Sequence, residues 1–209
     1  MKGLILKDLY VLTDTLKIYA IIYVVYGYLG IVKGQPGLMY AMVFITSAIL
    51  PVTSISYDER SRWDRLANTF PTSRKEIVVS KYILALLLLA VSITLTGLAF
   101  ALADDMTLKE KTVSVSIMLA VSLIYQAITI PLIYKFGSEK GRIVMMCACF
   151  LPMIALYLIS ETAWFNAAAI EAFFTTYGTV IPFVMTAVTA VIYIISVALS
   201  VRIYTAKEL

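Results

Sequence analysis

Long apolar runs constrain this sequence more than any other feature. Crossing the roughly 30 Å hydrocarbon core of a bilayer takes about 20 helical residues. The chain has 209 residues, of which 61% are hydrophobic and only 14% charged, so no segment is long and polar enough for a sizeable soluble domain. We predict an all-α polytopic membrane protein with a single transmembrane domain over 1–209. Its six predicted spans are 18–32, 38–57, 77–103, 112–134, 143–160 and 179–201.

Missing motifs exclude several kinds of chemistry. The sequence holds no G-x-x-x-x-G-K-[ST] string, the loop that cradles nucleotide phosphates. It also contains no histidine, which removes Ser-His-Asp triads, HExxH zinc sites and histidine proton shuttles. An intramembrane enzyme would need paired acids or a Ser–Lys dyad within the bilayer. We therefore expect no catalytic residue, no metal site and no cofactor bound by this chain.

The basic residues predict an orientation in the membrane. If the six spans alternate, 14 of the 17 lysine and arginine residues fall in the N-terminal segment, the even-numbered loops and the tail. Cytoplasmic loops are the ones enriched in basic residues, so both termini are predicted to be cytoplasmic. This placement also accounts for the net charge of +4 without a nucleic-acid partner.

The N-terminal segment has the pattern of an amphipathic helix. Ile5, Leu9, Leu12 and Leu16 recur at helical spacing, with charged residues on the other faces. We predict an interfacial helix over 1–17. The alternative is a cytoplasmic extension of the first span.

The cytoplasmic loop at 58–76 carries the most information. Trp63, Leu66, Ala67 and Phe70 fall at i, i+3, i+4 and i+7, the spacing of one helical face. Pro71 ends this predicted helix. Two i,i+4 ion pairs are predicted on its surface, and a Ser73–Glu76 capping box starts the next helix. The predicted pairs are Asp58–Arg62 and Arg60–Asp64.

Two interpretations of this loop helix stay open. It is either a docking helix that inserts into a groove of a cytoplasmic partner, or a helix resting on the lipid surface. Aromatic and arginine side chains such as Trp63 and Arg60 suit a protein interface. Basic residues facing anionic head groups suit the lipid surface equally well.

Three strings in this region resemble small ABC-2-type permeases: DERSRW at 58–63, FPTSRKEIV at 70–78 and SKY at 80–82. These are membrane subunits of bacterial ABC exporters whose ATPase is a separate chain. Chain length, six spans, an interfacial first helix and a short tail fit the same family. Within it, the chain is similar to the permeases of phenol-soluble modulin exporters.

The resemblance implies a partner arrangement. Two permease copies, identical or related, would pair in the bacterial cytoplasmic membrane above two ATPase subunits that bind ATP and Mg²⁺. A coupling helix in the 58–76 loop would sit in a cleft of the ATPase, and 136–141 would form a second, smaller contact. By position, the ATPase-coupling residues would be Asp58, Glu59, Arg60, Arg62, Trp63, Asp64 and Arg65.

The resemblance also implies re-entrant helices at the outer face, in 161–178. This segment is rich in aromatic residues for an outer loop, which is typical of membrane-associated segments. The alternative is a plain aromatic belt that anchors the outer ends of two spans. The aromatic residues are Trp164, Phe165, Phe173, Phe174 and Tyr177.

The candidate substrate-facing residues are Tyr19, Tyr23 and Tyr26, which share one face of the first span, and Gln126 in the fourth. Helix packing and hydrogen bonds between helices are the alternative roles. All acidic residues fall in loops or at span ends, so coupling to an ion gradient is not expected. Amphipathic or hydrophobic peptides are the expected cargo. A drug or antimicrobial-peptide immunity pump, or an ATP-independent channel or scaffold, is the alternative.

Overall fold

The computed structural model describes residues 2–32, 37–67, 69–70, 72–101, 107–160 and 180–207. Throughout these ranges the regular secondary structure is helical, which confirms the predicted all-α class. The helices are α1 (Lys2–Val11), α2 (Thr13–Val32), α3 (Gly37–Arg60), α4 (Trp63–Ala67), α5 (Arg74–Ala101), α6 (Leu108–Phe136), α7 (Ser138–Ser160) and α8 (Ile181–Thr205).

Within the described ranges, four helices are long and apolar enough to cross a membrane: α3, α5, α6 and α8. The pair α1 and α2, bent by 65° at Leu12, would make a fifth span if it crosses as one broken helix. Helix α7 has 23 residues and covers the predicted fifth span, but it is not among the four. A protein with several membrane spans is supported, and the number six stays a prediction.

Helix α1 uses its apolar side for packing within the chain. Ile5 and Leu9 of α1 and Leu16 of α2 pack around buried Leu12, against Leu50, Leu84 and Leu88 of α3 and α5. The predicted spacing of apolar residues is therefore real, but the chain itself covers this face. An interfacial position of residues 1–17 stays a prediction.

Hydroxyl groups join the long helices inside the bundle. The Tyr82 hydroxyl of α5 lies 2.7 Å from the hydroxyls of both Ser196 and Ser200 of α8. The Ser196 hydroxyl lies 2.6 Å from the carbonyl oxygen of Ala127 in α6, to which it can donate. Because apolar surface alone gives little drive for helices to associate in lipid, such polar contacts help to hold α5, α6 and α8 together.

Several helix ends meet at one end of the bundle. The Arg74 guanidinium, at the start of α5, donates to the carbonyl oxygens of Thr205 and Lys207 at the end of α8, at 3.0 and 2.9 Å. Glu59, near the end of α3, accepts from the backbone N–H of Ser138 at the start of α7, at 2.6 Å. We call this the elbow end, because it includes the reversal of the chain between α3 and α5. Segments predicted to be cytoplasmic lie together at this end. That this end faces the cytoplasm stays a prediction.

A pair of helical glycines gives a test of the packing between α6 and α7. A Cβ at Gly141 would lie 2.7 Å from Cγ1 of Ile133, whereas a Cβ at Gly97 would meet nothing within 4 Å. Gly141→Ala should therefore destabilise the fold by about 1–3 kcal/mol through overpacking. Gly97→Ala should stabilise it by about 0.5–1 kcal/mol, because alanine loses less entropy in a helix. Thermal unfolding in one detergent checks both signs, and equal shifts would refute the close contact.

Candidate functional site

The chain reverses direction between α3 and α5 through residues 61–73, which we call the elbow; residues 68 and 71 lie outside the described part. Helix α3 ends at Arg60 and α4 spans only Trp63–Ala67. Between them Arg62 has a φ of 53°, a left-handed conformation that is uncommon for a side-chain-bearing residue. The Ser61 hydroxyl donates to the carbonyl oxygen of Tyr57 at 2.9 Å, an alternative to continuing the helix.

This turn corrects two predictions about the loop. The predicted pairs Asp58–Arg62 and Arg60–Asp64 do not each share one helix, because α3 ends at Arg60, Arg62 lies in the turn, and Asp64 belongs to α4. Asp58 is also not on the surface, since only 7% of it is exposed. The predicted Ser73–Glu76 capping box is confirmed by bonds of 3.0 and 3.2 Å.

The predicted apolar face of the elbow divides into two. Trp63 packs partly buried against the core, and Ala67 is buried at its side. Leu66 and Phe70 instead point outward, 53% and 49% exposed. The Trp63 and Phe70 rings still stack, with centroids 6.2 Å apart. The elbow therefore presents a small exposed apolar patch, formed by Leu66 and Phe70. The Trp63 indole stacks on Phe70 and packs against the core, so it supports this patch.

Four charged side chains form a cluster behind the elbow. Lys81 of α5 lies 2.7 Å from Asp8 of α1 and 2.5 Å from Asp58 of α3. Lys7 lies 2.6 Å from Asp58 and 3.0 Å from Asp8. Asp8 and Lys81 are 1% and 4% exposed. Two cations and two anions thus neutralise each other where α1, α3 and α5 meet.

The charge cluster (Lys7, Asp8, Asp58 and Lys81) depends on all its members. Lys81 also donates to the Ser54 hydroxyl at 2.8 Å, while Oδ2 of Asp8 is buried without a hydrogen-bond partner. Burying charges is costly, and removing one member leaves its partners uncompensated. The cluster therefore fixes α1 against α3 and α5 in one arrangement.

Lys7 links the cluster to the elbow. Its Nζ lies 4.4 Å from the centroid of the Trp63 ring, within cation–π range. The same nitrogen donates a hydrogen bond to Oδ1 of Asp58. A displacement of the indole would thus act directly on a residue of α1 and, through the cluster, on α3 and α5.

The sequence does not predict this cluster, although it contains a signal for it. The predicted orientation places Lys81 with the basic residues of a cytoplasmic loop, and the acidic residues in loops or at span ends. Yet Lys81 lies in the second turn of α5, followed by the apolar run YILALLLL. A lysine at such a position in a membrane helix needs a partner.

The other predicted coupling residues have different surroundings. Oε1 of Glu59 also lies 2.9 Å from where a Cβ of Gly137 would be, so Glu59 ties the elbow end of α3 to the predicted second contact at 136–141. Arg60 and Arg62 are exposed. The side chains of Asp64 and Arg65 lie outside the described part.

The tyrosines of α2 are divided between packing and an open groove. Tyr19 packs against the cluster around Leu12, and the Tyr23 and Thr46 hydroxyls lie within hydrogen-bond distance, at 3.2 Å. Tyr23 and Tyr26 line an apolar groove of about 270 Å³ between α2, α3 and α5. A substrate-facing role for them stays a prediction.

Gln126 lies between helices. Its side-chain N–H donates to the carbonyl oxygen of Ser47 at 3.1 Å, and its side-chain oxygen accepts from the Tyr193 hydroxyl at 3.2 Å. Only 2% of the residue is exposed. Gln126 therefore makes the hydrogen bonds between helices that were one of its two predicted roles. In the single chain, almost none of its side chain is open to a substrate, the other predicted role.

Comparison with known proteins places the whole chain in one family. A sequence model of the family described as "ABC-2 family transporter protein" matches residues 3–205, from α1 to α8. No curated protein matches the chain, so the likeness to phenol-soluble modulin exporters stays a prediction. The chain belongs to the ABC-2 transporter family, whose membrane components work as permeases with an ATPase subunit.

Proposed function

We propose that this chain is the permease subunit of an ABC exporter that moves amphipathic or hydrophobic peptides, such as phenol-soluble modulins, out across the bacterial cytoplasmic membrane. Two copies would pair above two ATPase subunits, with the elbow end in the cytoplasm. The observation that carries this proposal is the elbow itself, an exposed apolar patch braced by Trp63 on a buried charge cluster.

In this mechanism the chain provides the pathway, and the ATPase hydrolyses ATP with bound Mg²⁺. The patch of Leu66 and Phe70 docks into the ATPase, with the exposed Arg62 beside it. Closure of the ATPases pushes the patch against Trp63, whose ring is in contact with Lys7. Because the cluster stays paired only if its members move together, α1, α3 and α5 respond as one unit.

A second path runs from the same elbow. Glu59 accepts from the Ser138 backbone N–H and contacts the Gly137 position. Movement of α3 is therefore passed to α7 as well, and the 136–141 segment reaches the ATPase as part of the same surface.

The proposed cargo rests on apolar grooves. One lies beside Tyr23 and Tyr26. Another, of about 410 Å³, lies between α3 and α6 and is lined by residues such as Phe44, Met118 and Val121. Among the residues that the structure describes, none that lines either groove is charged. Apolar grooves of this kind accept the apolar face of an amphipathic helix.

The test is purification of the chain with candidate ATPases, followed by assays of association and of stimulated ATP hydrolysis. Trp63→Ala and Arg60→Glu should weaken both, whereas Phe183→Ala, an exposed aromatic at the opposite end of α8, should change neither. If Trp63→Ala and Arg60→Glu both behave like the wild type, the docking role fails. Association with no ATPase would favour a channel or scaffold, and tolerance assays with peptides and drugs would separate the two kinds of cargo.

The copy number is tested by the mass of the intact complex. Two identical permeases with two ATPases are expected. A mass that requires one copy of this chain and a second, related permease would replace the homodimer by a heterodimer and leave the elbow mechanism in place.

A further inference from the structure

A groove between α3 and α7 has a charged mouth at the elbow end. We propose that it binds one anionic phospholipid of the adjacent leaflet, with an acyl chain along the groove and the phosphate on Arg60. The groove has a volume of about 380 Å³, and its wall includes Ile49 and Val52 of α3 and Met146 of α7. The proposal goes beyond peptide export and does not depend on it.

The length of the groove matches one leaflet. Its lining residues on α3 run as a stripe from Ile49 to Arg60, 11 positions along the helix. At 1.5 Å per residue this is about 16 Å, close to half of a roughly 30 Å hydrocarbon core. A lipid with its phosphate at Arg60 would therefore extend its chain along the whole apolar stripe.

Two polar side chains in the inner part of the groove, Thr53 and Ser56, are already hydrogen-bonded, and Tyr57 lies about one helical turn from Arg60, near the mouth. The Thr53 hydroxyl donates to the carbonyl oxygen of Ile49, and the Ser56 hydroxyl to that of Val52, each at 2.8 Å. Neither hydroxyl has a hydrogen left to offer a ligand. The inner groove consequently behaves as an apolar surface, which suits an acyl chain and not a water-soluble anion.

Arg60 is left with its charge at the mouth. Its two acidic neighbours are engaged elsewhere, since Asp58 pairs with two lysines and Glu59 binds the backbone of Ser138. In the part of the chain that the structure describes, Arg60 has no ion pair of its own. A planar guanidinium binds phosphate with two parallel hydrogen bonds, so the mouth complements a lipid head group.

The test uses the full chain in phosphatidylcholine vesicles that contain a small amount of a photoreactive lipid. This lipid carries its photoreactive group on an acyl chain and is phosphatidylglycerol in one sample and phosphatidylcholine in the other. After illumination, mass spectrometry measures lipid attached to peptides of α3 and α7. Two variants attack the site: Arg60→Glu at the mouth and Met146→Trp, which fills the groove. Two controls match them: Arg202→Glu, an exposed arginine in the last turn of α8, and Cys147→Trp, the exposed neighbour of Met146.

The wild type should capture phosphatidylglycerol about fivefold more than phosphatidylcholine, the preference expected from one arginine near anionic lipid. Arg60→Glu should abolish this preference, and Met146→Trp should reduce capture of both lipids. The controls should match the wild type, and soluble glycerol phosphate should not compete. Equal capture of the two lipids, equal loss in the controls, or competition by glycerol phosphate would overturn the site.

ATPase association, measured on the same variants, keeps the two proposals apart. If Arg60→Glu lost the ATPase but kept its preference for phosphatidylglycerol, the lipid site would be wrong and the docking role of the elbow would stand. If the preference disappeared while the ATPase still bound, Arg60 would serve the lipid, and docking would be carried by the patch of Leu66 and Phe70.

Discussion

Replacing Lys81 with methionine should destabilise the folded chain by about 3–5 kcal/mol, the usual effect of removing one partner from a buried ion pair. Lys81 contacts both Asp8 and Asp58, and all three are less than a tenth exposed. Lys7 would remain, but it contacts Oδ1 of Asp58, and Oδ2 of Asp58 would lose its lysine. The free energy of unfolding in detergent is measured, with tryptophan fluorescence as the signal that monitors unfolding.

Two comparisons make this prediction specific. Lys17→Met breaks an exposed pair with Asp14 and should leave stability unchanged, because solvated ion pairs contribute little. The double variant Asp8→Asn with Lys81→Met removes one charge of each sign and should recover much of the loss. If Lys81→Met were no worse than Lys17→Met, the cluster would not hold α1 in place.

Placing carboxylates on the apolar patch should have the largest effect on the partner. The double variant Leu66→Asp with Phe70→Asp should weaken binding of the ATPase about 30-fold or more, as expected for a hot spot worth at least about 2 kcal/mol. Both side chains are half exposed in the free chain, so the fold should tolerate the change. The dissociation constant of the purified ATPase for the chain in lipid nanodiscs measures the effect.

Leu6→Asp is the matched control for the patch. Leu6 is an exposed leucine of α1, on the helix that also reaches the elbow end, and it belongs to neither the patch nor the cluster. The ATPase should bind this variant as it binds the wild type. Equal weakening by Leu6→Asp would mean that negative charge near the elbow end, and not loss of the patch, reduces binding.

The helices were predictable because each depends on neighbours in the sequence. The predicted spans 38–57, 77–103 and 112–134 fall on α3, α5 and α6, with α5 ending at Ala101 in the described chain. Long apolar runs and local caps such as Ser73–Glu76 specify helices without reference to the rest of the fold. The segment 161–178, predicted to re-enter the membrane, lies outside the described residues.

The charge cluster was not predictable by the same reasoning. Helical spacing pairs Asp58 with Arg62, four positions away, whereas the structure pairs it with Lys7 and Lys81. Those partners come from packing of three helices, which a local pattern does not contain. The different environments of Trp63, packed against the core, and Leu66, exposed, have a similar cause. The turn at Arg62 sets the orientation of α4 against the core.

The most direct test of the central claim, that an ATPase acts on this chain through the elbow, is cross-linking from defined positions in the assembled complex. A photoreactive amino acid would replace Phe70 in the patch, or Phe183 near the start of α8, about 30 Å along that helix from its elbow end. The account predicts adducts with the ATPase from position 70 and none from position 183. Adducts from position 183, or none from position 70 in an intact complex, would contradict it.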